Sequence, residues 1–177
     1  MTRTLTCRCG AVQLEFIGAP IIGAECYCTS CRTAGAKLEA LPGAPTFRTA
    51  QGGTPYALYR KDRVRFTAGT DQLREHRLTP QSPTRRVVAT CCNTPICVEF
   101  RHGHWLSLQA GLWPAGDVPP MQLRIMVSDL PPDIEFDNRL PNARQQNFGF
   151  FAALLRAWVA MGFRVPKLDF IEGTLDA

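Results

Sequence analysis

Within residues 4–17 the apolar side chains Val12, Leu14 and Phe16 fall at every second position, the period of a strand with one buried face. Similar short stretches recur at 56–60, 63–67, 73–78, 86–91, 95–101 and 104–108, each bounded by turn residues. Many short strands separated by tight turns favour antiparallel sheets, so residues 1–130 are expected to form a mainly β domain. The segment 26–31 reads as a polar tight turn, and 35–55, rich in Gly, Pro and Ala, reads as loop.

The period changes near the C-terminus. In NFGFFAALLRAWVAMG, residues 147–162, Phe151, Leu154, Leu155, Trp158 and Met161 recur at helical spacing, with Asn147 as N-cap and Gly162 as stop. This helix is apolar on nearly every face. It is therefore expected to pack, within a C-terminal extension over 131–177, either on the β domain or on a second subunit, the latter giving a homodimer through the helix.

Composition narrows the classes. A chain of 177 residues, 45% hydrophobic and 20% charged, with mean hydropathy −0.10 and 14 each of Gly and Pro, is neither collagenous nor disordered. The longest apolar run, 148–163, carries Arg156 and is shorter than the roughly 20 residues a membrane span needs. The apolar run near Leu14 is broken by Glu15 and Pro20, so no secretory pattern is read and a cytoplasmic location is expected. Thiols stay reduced there, and eight cysteines in tight groups suggest metal ligation over disulfides.

The net charge of +5 is unevenly distributed: residues 48–88 hold nine Lys or Arg against three acidic residues. No aromatic-plus-basic stacking motif accompanies them, so a solvated surface is expected and nucleic acid is not an expected partner.

The cysteines carry the chemistry. Cys26, Cys28 and Cys31 form a C-x-C-x-x-C triplet, and a turn at this spacing can bring three sulfurs onto one zinc ion at about 2.3 Å. Three ligands in tetrahedral geometry leave one exchangeable position, which separates a reactive site from a structural one. Cys7 and Cys9 need a distant pair, and Cys91 with Cys92 would close a four-cysteine structural site. Neighbours on a strand point to opposite faces, so both can bind one metal only if the backbone turns, which Asn93 and Pro95 favour. Cys97 reads as core, with a ligand role in place of Cys91 left open. His102 and His104 would share one strand face but lack a matching carboxylate, and His76 reads as a surface residue. Asp129, Asp133, Glu135 and Asp137 read as a solvated loop. Nucleophile-elbow, P-loop and dinucleotide motifs are missing from the sequence.

Taken in order, C-x-C-G-A-V at 7–12, C-x-C-x-x-C-R at 26–32 and the cysteine group before Thr94 resemble the glutathione-dependent formaldehyde-activating (GFA) and centromere protein V-like family. The resemblance covers most of 1–130, and Gly69 and the D-N-R-L-P segment at 137–141 are similar to further family features. It implies a β-tent fold of small antiparallel sheets around zinc, one or two zinc ions per chain, and a catalytic role for Cys26, Cys28 and Cys31. It also implies carbon–sulfur lyase chemistry on a small thiol, such as glutathione, and an aldehyde. Arginines of the basic middle, or Arg32, could then pair with substrate carboxylates. The family's third motif, F-C-x-x-C-G-T, is altered: Ala89 stands at its first cysteine, Cys91 is the natural substitute, and Asn93 replaces glycine, both tolerating a left-handed backbone. The alternative is a non-catalytic, zinc-scaffolded interaction module that keeps the fold.

Overall fold

The computed structural model describes residues 2–177. Along the chain run β1 (Thr2–Thr6), β2 (Gln13–Ile17), β3 (Ile22–Cys26), α1 (Thr29–Glu39), β4 (Thr54–Arg60), β5 (Val64–Ala68), β6 (Leu73–His76), β7 (Thr84–Ala89), β8 (Thr94–Phe100), β9 (Trp105–Gln109), β10 (Leu123–Ile125) and α2 (Phe148–Val159). One sheet has the order β1-β2-β5, and a larger one β10-β3-β4-β9-β8-β7-β6. The pairings are antiparallel except for β10 on β3.

Alternation along the strands gives the larger sheet two different faces. On β4, Ala57 and Tyr59 join a core with Leu14 and Phe16 of the small sheet, while Tyr56 and Leu58 join a second cluster with Phe150 and Leu154 of α2. In the first cluster Phe16 meets Tyr59 and Trp113 edge-on, at centroid distances of 5.1 and 5.5 Å. The sheet thus separates a sheet-on-sheet core from a face covered by α2.

The mainly β architecture and the C-terminal helix are as expected. Asn147 caps α2 by accepting from the Phe150 amide at 2.9 Å. The helix is more sided than its sequence suggests: Phe150, Leu154 and Ala157 are buried, while Phe148, Phe151, Leu155 and Val159 are exposed. No helix among the described residues is long and apolar enough to cross a membrane.

Several expectations need correction. Residues 29–39 are helical, so the loop expected at 35–55 begins inside α1, and 26–31 bridges a strand end to a helix start. Strands β3 and β10 were not foreseen. His76 is buried, with Nδ1 3.0 Å from the Leu175 carbonyl. His102 and His104 do not share a strand face: His102 sits exposed at φ 62°, whereas His104 is buried with Nε2 2.9 Å from the Leu154 carbonyl and its ring stacked on Trp158. The basic middle is paired in part, through Lys61–Glu99, Arg85–Glu99, Arg85–Glu75, Arg77–Glu75, Arg48–Glu39 and Arg60–Asp62, while Arg65 is exposed as expected. Two of the acidic residues are anchors. Asp137 receives Arg124 Nη2 at 2.7 Å, and Asp129 accepts from the Thr29 amide at 2.9 Å, favourably placed at the positive end of α1.

Candidate functional site

The chain brings its cysteines into two clusters on different elements. In the first, Cys7 and Cys9 lie in the turn after β1 and Cys91 and Cys92 in the turn between β7 and β8. The Gly10 amide donates to Cys7 O at 2.9 Å with Gly10 at φ 81°, and the Val12 amide points at Cys7 Sγ, 3.3 Å away. Across the cluster Asn93 adopts φ 51°, the left-handed turn that lets adjacent cysteines aim the same way. The Arg8 amide donates to Thr94 Oγ1 at 3.2 Å, tying the two turns together.

Sulfur separations test whether this donor set fits a metal. Cys7–Cys9, Cys7–Cys91, Cys9–Cys91 and Cys91–Cys92 are 3.6, 3.7, 3.4 and 3.9 Å apart. Sulfurs about 2.3 Å from one zinc in a tetrahedron would stand about 3.8 Å apart, whereas a disulfide needs about 2.05 Å. All eight cysteines are free thiols, and the four-thiol set has the spacing of a metal shell. Burial raises the Cys92 thiol, but hydrogen bonds from Thr94, the Cys9 amide and the neighbouring thiols outweigh it and bring Cys92 down to about 6.

The second cluster is built at the junction of β3 and α1. Cys26 ends β3, Cys28 caps α1 by accepting from the Cys31 amide at 3.3 Å, and Cys31 lies in the first turn. The three sulfurs lie within 4.8 Å of one another, and no fourth His, Cys, Asp or Glu joins them among the described residues. Hydrogen bonds from the Cys26 and Cys31 thiols, aided by the Cys31 amide and the Arg86 charge, lower Cys28 to about 3 despite its burial. The same shared hydrogen bonds push Cys26 far upward. Tyr56 donates its hydroxyl to Cys31 Sγ at 3.8 Å.

This second cluster opens onto a cavity of about 580 Å³ between the sheet and α2. Its walls include Leu58, Val98, Trp105, Ile125, Phe150 and Leu154. Arg86 also lines it, the residue that sequence reasoning did not single out. Adjacent Arg85 and Arg86 leave β7 on opposite faces, Arg85 toward Glu99 and Arg86 toward α1, where Nη2 donates to Ser30 Oγ at 2.7 Å and Ser30 O at 3.1 Å. The signal for it was a long basic side chain at a position whose strand neighbours, Val87 and Val88, are buried. Arg32, the other arginine considered, donates instead to the Asp129 carbonyl at 3.2 Å.

The family model of the glutathione-dependent formaldehyde-activating enzyme matches residues 2–123. The chain belongs to that family. The matched stretch contains both cysteine clusters and Arg86 and ends where β10 begins, so α2 lies beyond it. A Rhodobacter sphaeroides protein solved by structural genomics is similar, with 17% identity over 66% of this chain and 98% of that one, at a TM-score of 0.46. No curated protein matches the chain.

The two family features outside the cysteine motifs have physical roles here. Gly69, at φ 68°, lies where a Cβ would come 2.3 Å from the Ala11 carbonyl, so the 7–12 turn requires glycine beside it. The D-N-R-L-P segment is held by Arg124, which bridges Asp137 to Glu25 of β3 and stacks 4.8 Å from Phe136. Cys97 is core, its thiol raised to about 12 by burial, and it joins neither cluster.

Proposed function

We propose that the chain is a zinc-dependent carbon–sulfur lyase-like enzyme that adds a small thiol to an aldehyde or reverses that addition. Cys26, Cys28 and Cys31 would hold the working zinc, and Cys7, Cys9, Cys91 and Cys92 a structural one. The observation that carries this reading is the contrast in access: a three-thiol set facing a cavity against a four-thiol set with none of its members on that cavity. Zinc held by these three thiolates would supply Lewis acidity to a bound substrate oxygen or sulfur.

The chain's own groups prepare that site. Cys28 caps α1 by accepting from the Cys31 amide, Tyr56 fixes Cys31, and Arg86 fixes Ser30 in the same turn. In the addition the substrate S–H bond breaks, a C–S bond forms, the carbonyl π pair moves to oxygen, and that oxygen takes a proton, with no oxidant or reductant consumed. A reducing, cytoplasmic setting suits eight free thiols.

Protein purified without added metal should contain near two zinc ions per chain and accelerate thiol addition to an aldehyde. Cys28→Ser should keep about one zinc and fall to the uncatalysed rate. Wild type at the uncatalysed rate across a scan of thiols and aldehydes sinks the enzymatic reading.

One feature favours a second reading, an interaction module: α2 exposes Phe148, Phe151, Leu155 and Val159 in a single stripe, with Phe148 88% exposed. A second copy of the chain, packed stripe against stripe, is the partner this surface would fit, and mass in solution with and without Leu155→Glu tests it.

A further inference from the structure

The cavity beside the three-thiol cluster carries one cationic side chain, Arg86, and no Asp or Glu, among predominantly apolar walls. Arg86 is 3% exposed, and among the described residues it has no carboxylate partner within 4.0 Å. Its Nη2 is occupied by Ser30, but Nη1 is buried with no hydrogen-bond partner. A buried guanidinium nitrogen without an acceptor is costly, so an unmet donor of this kind marks the place of a ligand oxygen.

The remaining walls say what else the ligand is. Phe150, Phe151 and Leu154 of α2 line the space together with Val98, Trp105 and Ile125 of the larger sheet. A one-carbon aldehyde would leave nearly all of about 580 Å³ unfilled. A tripeptide thiol would bring two carboxylates and an ammonium, for which the cavity offers one cation and no acidic residue. Three thiolates on one divalent zinc would leave that site with a net negative charge, which offsets the lone cation and suits a neutral carbonyl better than an anion.

We propose that this cavity selects a neutral aldehyde with an apolar aromatic or branched body, whose carbonyl oxygen accepts from Arg86 Nη1. The claim rests on the enzymatic reading above and deepens it by naming the carbonyl substrate class. Arg86 is then a specificity-determining contact, and its donor strengthens as the oxygen gains charge during addition. Charged parts of the thiol partner remain at the mouth, outside the apolar walls.

Unreactive amides test binding apart from chemistry. Phenylacetamide presents an apolar body and a carbonyl, acetamide the carbonyl alone, and ethylbenzene the body alone. Titrated into zinc-loaded protein and followed by calorimetry, phenylacetamide should bind about thirtyfold tighter than acetamide, the effect of burying a phenyl ring. Arg86→Met should weaken phenylacetamide about tenfold or more, as expected for losing a hydrogen bond to a charged donor, and leave ethylbenzene unchanged.

Arg86→Met also removes the tie to Ser30, so Phe151→Ser provides a variant on an exposed wall residue. It should weaken phenylacetamide and ethylbenzene alike, by about threefold to tenfold, and leave acetamide unaffected. Equal affinity for phenylacetamide and acetamide, or no response to either variant, overturns the inference whatever the addition assay shows. Selective binding in a protein that never accelerates addition sinks the enzymatic reading and leaves the cavity's preference for an apolar carbonyl compound standing.

Discussion

The two cysteine clusters use the same donor atom in opposite ways. The four-thiol set joins two turns 84 residues apart, with Cys9 and Cys91 exposed and each sulfur facing other sulfurs. The three-thiol set comes from six consecutive residues, is fixed by a helix cap and a tyrosine hydroxyl, and faces an apolar space. Long-range closure suits a clamp, because metal binding there opposes the entropy of bringing distant turns together. Local assembly suits chemistry. The local site is made by one turn and one cap, so a missing ligand there does not separate distant parts of the chain.

The strongest test of that contrast removes one sulfur from each cluster. A structural zinc contributes about 10–16 kcal/mol of apparent folding free energy, as much as or more than the ~5–15 kcal/mol net stability of a whole domain. Cys91→Ser is therefore expected to abolish the cooperative thermal transition followed by circular dichroism, while Cys28→Ser keeps it with the midpoint shifted by about 5 °C or less. Equal losses from the two substitutions would erase the distinction between clamp and working site. This pair also tests whether Cys91 compensates for Ala89, which lies fully buried in β7 and offers no ligand atom.

Two glycines sharpen the comparison without touching a sulfur. Gly69→Ala would set a Cβ 2.3 Å from the Ala11 carbonyl at a left-handed position, beside the four-thiol turn. Gly53→Ala would set one 2.4 Å from the ring of Tyr27, which lies between Cys26 and Cys28. Gly69→Ala should cost about 2–4 kcal/mol in urea unfolding, combining backbone strain with a clash against rigid backbone. Gly53→Ala should cost less, since a side chain can give, but should lower zinc occupancy of the three-thiol site selectively. Occupancy lost from the four-thiol site instead would show that the clusters are not independent.

Much of this arrangement was legible in the chain, for identifiable reasons. The strands from β4 to β9 are short stretches bounded by turn residues and were expected within a residue or two of their positions, and Asn147 marks the start of α2 through its own side chain. The thiol pairing was readable because Asn93 permits the turn that adjacent cysteines need. Helix α1 was hidden because its first turn coincides with the cysteine motif, Gly35 interrupts it, and it buries only Ala34, Gly35 and Leu38, too few for an apolar stripe. Its stability comes from outside: the Cys28 cap, Asp129 on Thr29, and Glu39 paired with Arg48. Strand β3 was hidden by Gly23, which is glycine because a Cβ there would come 2.3 Å from the Pro120 carbonyl. Arg86 was hidden among other charges, since only the sheet shows that it faces away from Glu75 and Glu99.

Acid should affect the two regions unequally, and this is the smallest of the expected effects. Burial lowers the pKa of His76 below its ordinary 6.5, against the favourable Leu175 carbonyl, with Arg86 and Lys37 adding repulsion. Burial lowers His104 likewise, against the Leu154 carbonyl, with Lys61 and Arg60 adding repulsion. Below about pH 6.5 the unfolded chain takes up protons at both positions while the folded chain resists them. The unfolded state then binds more protons, so stability falls as pH drops from 6.5 toward the depressed folded values, and neither histidine contributes above that range. The carbonyl partners lie in α2, which walls the cavity, and in the C-terminal segment bridged to β6 at Thr174. Hydrogen exchange corrected for intrinsic rates should therefore quicken in α2 and at Leu175 between about pH 7.5 and pH 5.5, with Gly10 and Val12 unchanged. His104→Gln, which keeps a donor for Leu154 but cannot titrate, should flatten the response in α2 alone. A uniform quickening that includes the 7–12 turn would mean that acid acts through the metal sites, and the histidines would lose their place in the comparison.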